Sequence, residues 1–130
     1  MQRYEINGTE VHDIPSLCAA FARAVDGPDG YFGSDLQSFD DCLFGGYGLE
    51  APCEIVWRDH EQSRNAMGCD AMAEWCRSQS PSSREGLEWV DARRVRAEAG
   101  EYSLFDLIVE TITSVEQRSS RNVRLRLTLA

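Results

Sequence analysis

The sequence predicts a small α/β fold in which a mainly parallel sheet of three β-strands is covered by helices. Three observations support this prediction. The chain has 130 residues, the size of one globular domain. It is 42% hydrophobic and 27% charged, which is ordinary for a protein with a buried core. Extended and helical patterns follow one another as strand, helices, strand, helices, strand, an order typical of parallel sheets.

The first two predicted elements are a short strand and a helix. Arg3–Ile6 is expected to form the strand, which ends at the turn dipeptide Asn7-Gly8. Asp13 is a suitable N-cap, because its side chain can accept a hydrogen bond from the first helical turn. Apolar residues follow Asp13 at helical spacing, and Gly27-Pro28 is expected to end the helix.

A second, shorter helix follows. Ser34 is its expected N-cap, with Gln37 completing a capping box three residues later. Gly45-Gly46 is the expected stop. These bounds place the adjacent carboxylates Asp40 and Asp41 in the last turn of the helix.

The outer face of this second helix has the character of a binding surface. On a helical wheel of about 100° per residue, one stripe faces the core and consists of Leu36, Phe39 and Leu43. Asp41 lies nearly opposite that stripe, and Phe44 and small polar residues flank it. Tyr31 and Tyr47 stand in the adjoining loops. Aromatic side chains around a charge are typical of a binding hot spot, although an ordinary exposed face is an equally good interpretation.

The remaining elements complete the alternation of strands and helices. Cys53–Trp57 is a compact apolar run that fits a buried strand. A helical stretch is expected over Asp59–Met67, and the polar, proline-bearing residues 77–86 are expected to form a loop. Ser103 is the candidate N-cap of a long amphipathic helix. Val123–Leu129 alternates as a strand with one polar face.

The charge of the chain is unevenly distributed. Its formal net charge is −9, and residues 1–62 hold the whole excess, with twelve acidic and three basic side chains. This balance of charge disfavours nucleic-acid binding, which requires cationic groups on the protein, and it suits a cationic partner. A solvated acidic face is the plainer interpretation of the same charges.

The sequence offers no signal for a membrane or for export. No run of about 18 apolar residues occurs, so no membrane-spanning segment is predicted. The start, MQRYEINGTE, has no apolar signal core, and we expect a cytoplasmic protein. The five cysteines are an odd number, which favours reduced thiols over a disulfide framework.

Catalytic motifs are absent from the sequence. His12 and His60 are the only histidines, and the Asp59, His60 and Glu61 run is a weak candidate for a metal site, because neighbours on a helix point in different directions. Paired Asp40 and Asp41, or Cys42 as a nucleophile, leave a small enzyme as a remote alternative. We expect no enzyme, metal or cofactor.

Three stretches of the sequence resemble one protein family. They are YEINGTEV near the start, GYFGSDLQSFDDCLFG in the middle, and PCEIVWRDHEQSR shortly after. All three resemble the barstar family, intracellular inhibitors of secreted microbial ribonucleases. The resemblance implies a three-stranded parallel sheet packed with helices, and a 1:1 complex with a small secreted guanyl-type ribonuclease. It predicts one domain over residues 1–130, with an extended segment at about 68–100 that is longer than the same region of compact members.

The resemblance makes the second helix and its preceding loop the inhibitory element. Tyr31 matches the aromatic contact ahead of the helix, and Asp41 matches the central aspartate that enters the enzyme's phosphate site. Leu36 matches a contact leucine, Gly45 a glycine whose backbone faces the enzyme, and Glu110, more weakly, a rim glutamate. With the neighbours on the same face, the expected ribonuclease-binding residues are Tyr31, Asp35, Leu36, Gln37, Asp40, Asp41, Phe44, Gly45 and Glu110.

At four positions the sequence departs from the family pattern. Asp35 stands where asparagine is more frequent, Gln37 where aspartate is expected, and Asp40 and Gly46 where tryptophans are expected. These departures imply a cognate ribonuclease with a differently arranged guanine loop. The alternative hypothesis is a barstar-like module that binds some other cationic protein. In both cases we expect a free monomer.

Overall fold

The computed structural model describes residues 1–130 and contains one sheet of three parallel strands. These strands are β1 (Gln2–Asn7), β2 (Cys53–Arg58) and β3 (Leu125–Leu129). They lie side by side in the order β1-β2-β3, with Ile6 opposite Trp57. The predicted parallel sheet is therefore confirmed. β2 is the central strand and is mostly buried, as its apolar composition predicts.

Two helices connect β1 to β2, and five connect β2 to β3. Their bounds are α1 (Ile14–Val25), α2 (Leu36–Cys42), α3 (His60–Ala66), α4 (Cys69–Ser78), α5 (Arg84–Glu98), α6 (Leu104–Thr113) and α7 (Val115–Arg118). The Asp13 side chain accepts a hydrogen bond from the Ser16 amide at 2.8 Å, which confirms the predicted cap of α1. The long helix predicted after Ser103 is divided at Ser114 into α6 and α7. No helix has both the length and the hydropathy that crossing a membrane requires.

Residues 68–100 form a helical hairpin, in which α4 and α5 pack against each other. The loop predicted over 77–86 is shorter than expected and covers only residues 79–83. The reason is local capping at both ends. The Ser78 hydroxyl donates to the Trp75 carbonyl at 2.6 Å as α4 ends, and the Ser83 hydroxyl accepts from the Gly86 amide at 3.0 Å as α5 begins.

One connected core of 31 buried residues joins the sheet to its helices. Part of this core is an aromatic cluster formed by Phe21 of α1, Phe32 of the next loop and Phe39 of α2. Their ring centroids lie 4.9–5.7 Å apart, in the tilted and edge-on geometries that aromatic pairs prefer. This cluster fixes the orientation of α2 and hence the face that α2 presents to solvent.

All five cysteines are free thiols. Cys18, Cys42, Cys53 and Cys76 are buried, as expected of small apolar side chains, and Cys69 is partly exposed. Burial raises the pKa of the Cys18 and Cys53 thiols to about 11. Both therefore remain protonated and weakly reactive at neutral pH.

Candidate functional site

Helix α2 begins one residue later than the sequence predicts. Asp35, and not Ser34, is the N-cap: its carboxylate accepts hydrogen bonds from the Ser38 amide at 2.8 Å and the Ser38 hydroxyl at 2.7 Å. Ser38 in turn accepts from the Asp35 amide at 3.1 Å, completing a capping box in which Gln37 has no part. Both hydrogen bonds from Ser38 lower the pKa of Asp35, the hydroxyl having the larger effect. Asp35 is therefore an anion at neutral pH.

Replacing Asp35 by alanine is expected to lower the free energy of unfolding by about 1 kcal/mol, the usual cost of losing an N-cap. Asp35→Asn keeps a side-chain acceptor and is expected to retain most of that stability. Folding lowers the pKa of Asp35, so part of the stability that the cap provides depends on the charge of Asp35. This part is present above the unfolded-state pKa of Asp35, and it is lost as the pH falls through the folded-state pKa. Urea unfolding of both variants at pH 7 checks this. Equal losses in the two variants would attribute the effect to the charge of Asp35, and no loss in Asp35→Ala would show that the cap contributes nothing.

The apolar side of α2 is anchored in the core. Phe39 is fully buried and Leu36 is 9% exposed, so the predicted core stripe is confirmed. The loop before α2 crosses close to the helix at Gly33, where φ is +91° and a Cβ atom would lie 2.6 Å from the Phe39 nitrogen. Only glycine fits this approach. Gln37 and Asp41 lie on the opposite side of α2 and are exposed.

Asp41 is a free carboxylate, whereas its neighbour Asp40 is not. Two guanidinium nitrogens of Arg118 donate to the two Asp40 carboxylate oxygens at 2.7 and 2.9 Å, a bidentate pair. Asp41 has no ion-pair partner. The sequence around Asp40 and Asp41 contains no basic residue between Arg23 and Arg58. Asp40 is nevertheless neutralised, by Arg118 from the end of α7.

The aromatic residues near α2 fall into two groups. Tyr31 and Tyr47 are 40% and 38% exposed, and their ring centroids are 5.8 Å apart. Phe44 is half-buried, with the Arg118 guanidinium 5.2 Å from its ring centre. The helical wheel placed Phe44 beside Asp41 on the solvent side. In the structure Phe44 instead packs partly against the core and partly against Arg118. Gly45 adopts φ +110°, a left-handed conformation that favours glycine.

Glu110 lies on α6, next to α2. Its carboxylate accepts a hydrogen bond from the Tyr102 hydroxyl at 2.6 Å. Burial, followed by this hydrogen bond, raises the pKa of Tyr102 to about 12. Glu110 lines one groove together with Asp40 and Arg118, so the fold brings it to the same side of the molecule as α2.

Sequence reasoning missed three residues of this surface. Arg118 is 78 positions from Asp40, and no local pattern links them. Trp75 and Trp89 of the α4–α5 hairpin line a groove beside α2. The sequence did contain a signal for these two residues, because both tryptophans lie in a segment that is otherwise rich in polar residues. A tryptophan in such a segment usually has a packing or a binding role. No group of three or more His, Cys, Asp or Glu side chains is arranged to hold a metal ion.

Comparison with known families identifies the fold. Residues 1–80 match the family model described as Barstar (barnase inhibitor). The chain belongs to the barstar family. Members of the barstar family inhibit barnase-type ribonucleases and are not enzymes. A comparison with curated proteins finds no match. The barstar match includes α2 and ends in the loop between α4 and α5, so α5 and Glu110 lie outside the matched residues.

Proposed function

We propose that this protein is a stoichiometric inhibitor of a small, secreted, guanyl-type microbial ribonuclease. In this role it protects the producing cell before the enzyme is exported. The observation that carries the proposal is Asp41, an exposed carboxylate without an ion-pair partner, on a helix whose opposite face is locked in the core. Family membership supports ribonuclease inhibition in general, and this geometry supports α2 as the inhibitory element.

The inhibitory chemistry follows from charge and position. Ribonucleases bind RNA phosphates with cationic side chains, and the Asp41 carboxylate can occupy such a site as a phosphate mimic with charge-assisted hydrogen bonds. Tyr31 and Tyr47 offer flat, exposed rings near α2 that can exclude water from the contact. Because α2 is fixed before binding, little conformational entropy is lost when the complex forms.

The departures from the family pattern bear on the choice of enzyme. Gln37 supplies a neutral amide where the family has a carboxylate, and Arg118 neutralises Asp40. Asp35 and Asp41 therefore remain as the charged groups of α2 without basic partners. The cognate ribonuclease should present its cationic groups to these two positions.

The structure gives no support to the alternative of a small enzyme. Burial raises the pKa of the Cys42 thiol, which opposes formation of the nucleophilic thiolate. Asp40 is occupied by Arg118, so an Asp40–Asp41 pair is not available for acid–base catalysis.

A titration against a panel of guanyl-type microbial ribonucleases tests the proposal. Loss of activity that is complete at one inhibitor per enzyme supports it. If the chain inhibits no ribonuclease but binds another basic protein, the alternative of a general module for cationic partners replaces it. Sedimentation of the free protein tests the accompanying proposal that it is a monomer.

The rate of association is expected to fall steeply as the salt concentration rises. Residues 1–62 carry an excess of nine negative charges, which attracts a basic enzyme from a distance. Salt screens this attraction beyond the Debye length, which is about 8 Å at physiological ionic strength. Stopped-flow measurement between low and high salt checks this, with the dissociation rate as the internal control because it should change much less. An association rate that does not respond to salt would remove electrostatic steering from the mechanism.

A further inference from the structure

The α4–α5 hairpin forms the second wall of a groove that runs along α2. This groove has a volume of about 370 Å³. Asp35, Gln37 and Asp40 line one side, and Trp75 and Trp89 line the other. Because Gln37 and Asp41 are four positions apart on α2, they are neighbours on the helix surface. The groove is therefore continuous with the surface that carries Asp41.

The Trp89 side chain contacts two neighbouring side chains. The Trp75 ring meets it nearly edge-on, at 75° with centroids 6.3 Å apart. The Arg93 guanidinium carbon lies 3.8 Å from the centre of the Trp89 ring. Even so, Trp89 remains 38% exposed. A large aromatic side chain that is ordered before binding and still accessible is typical of residues that dominate an interface.

The groove lacks basic lining residues and has two carboxylates. Arg118 already neutralises Asp40, which leaves the Asp35 carboxylate, an anion at neutral pH, without a cationic partner. Arg93 already makes a cation–π contact with Trp89. An incoming guanidinium or ammonium group would therefore be attracted by the unpaired charge of Asp35, through charge-assisted hydrogen bonds, and by the Trp75 ring and the part of Trp89 that remains exposed. The chemistry of the groove therefore fits a cationic side chain.

We propose that this groove, which we call the tryptophan groove, binds one arginine or lysine side chain of the same ribonuclease that binds Asp41. This inference rests on the proposed function. It makes the α4–α5 hairpin a specificity element, because only a ribonuclease with a basic residue beside its catalytic cleft can fill the groove. Trp89 and Asp35 are the residues that select this basic group.

Binding to a ribonuclease that the wild-type protein inhibits tests the tryptophan groove. Trp89→Ala is expected to raise the dissociation constant about tenfold or more, and Trp89→Phe, which keeps an aromatic ring, is expected to raise it less. Val95→Ala is the matched control, since Val95 is an exposed apolar residue on α5 that does not line the groove. It should leave the dissociation constant unchanged. Circular dichroism and melting verify that each variant is folded.

Asp35→Asn supplies a test that does not depend on the stability of α5. It keeps the cap of α2, removes the charge and is expected to weaken binding. Because Asp35 and Trp89 would contact the same cation, Asp35→Asn should cost less affinity in the Trp89→Ala background than in the wild type.

The outcomes separate this inference from the proposed function. If Trp89→Ala and Asp35→Asn bind as tightly as the wild type while Asp41→Ala does not, the tryptophan groove is overturned and the inhibitor stands. If the wild type inhibits no ribonuclease, both proposals fall. If the free protein sediments as a dimer that Trp89→Ala dissociates, a second copy of the chain occupies the groove and the inference is wrong.

Discussion

Asp41→Ala is expected to weaken ribonuclease binding by about 3 kcal/mol or more, roughly a 100-fold rise in the dissociation constant. The Asp41 carboxylate is exposed and has no ion-pair partner in the free protein, so its whole hydrogen-bonding capacity is available to the enzyme. Without this carboxylate, several cationic groups of the enzyme's phosphate site would be buried in the complex without a counter-charge. Burying an unpaired charge costs much free energy. Isothermal titration or inhibition kinetics measures the change.

The same substitution is expected to leave the free protein as stable as before, or slightly more stable. Asp41 lies in the last turn of α2, where a carboxylate faces the negative end of the helix dipole. Such an exposed charge costs about 0.3–1 kcal/mol, and alanine relieves it while improving helix propensity. A loss of binding together with a gain of stability would mark Asp41 as a residue retained for function.

Asp40→Ala is the matched control on the adjacent position. It breaks the bidentate pair with Arg118, and a partly exposed pair of this kind contributes about 1 kcal/mol or less to folding. Binding should weaken much less than for Asp41→Ala, because Arg118 already satisfies the Asp40 carboxylate. If Asp41→Ala unfolds the protein, Asp41 is a structural residue. If it folds and still inhibits fully, α2 is not the inhibitory element.

The parts of the fold that could be predicted from sequence are those encoded locally. Cys53–Trp57 is apolar except for Glu54, which indicated a central strand, and the structure adds only Arg58 to it. Asp13 and Ser103 both cap helices where the pattern placed them. Apolar and polar residues alternate over Val123–Leu129, which indicated a strand, although pairing with β2 begins only at Leu125. Each of these features depends on residues within about one helical turn or one strand.

The parts that could not be predicted depend on contacts between distant residues. Ser34 and Asp35 are both good N-cap residues by type. Asp35 is the N-cap because its carboxylate accepts from the Ser38 amide while the Ser38 hydroxyl accepts from the Asp35 amide. The neutralisation of Asp40 depends on Arg118, which only the completed fold brings near. On the outer face of α2, the helical wheel correctly predicted that Asp41 is exposed, because the direction of a side chain around a helix follows from helix geometry alone. What surrounds α2 follows from tertiary structure.

Among these substitutions, Ser63→Ala is expected to have the largest effect on stability, at about 1–3 kcal/mol. Ser63 is fully buried and joins two parts of the core. Its hydroxyl accepts from the Trp57 indole nitrogen at 3.1 Å and donates to the Gly8 carbonyl at 2.8 Å. Gly8 also lies so close to the chain after β2 that a Cβ atom would be 2.2 Å from the Asp59 carbonyl oxygen.

Alanine at position 63 leaves the indole N–H of Trp57 buried without an acceptor, whereas the Gly8 carbonyl keeps its hydrogen bond from Val11. The unsatisfied donor therefore dominates the loss. Thermal and urea unfolding measure it, with the exposed Ser80→Ala as the control that should change stability by less than about 0.5 kcal/mol.

A double-mutant cycle assigns the cost to the indole N–H. Phenylalanine at position 57 has no donor, so Ser63→Ala should destabilise a Trp57→Phe protein less than it destabilises the wild type. Equal losses in both backgrounds would instead attribute the effect to the cavity left by the hydroxyl. None of the residues in this hydrogen-bonded chain belongs to α2 or lines the tryptophan groove. The folded fraction of Ser63→Ala should therefore bind the ribonuclease with wild-type affinity, which separates a loss of stability from a loss of inhibition.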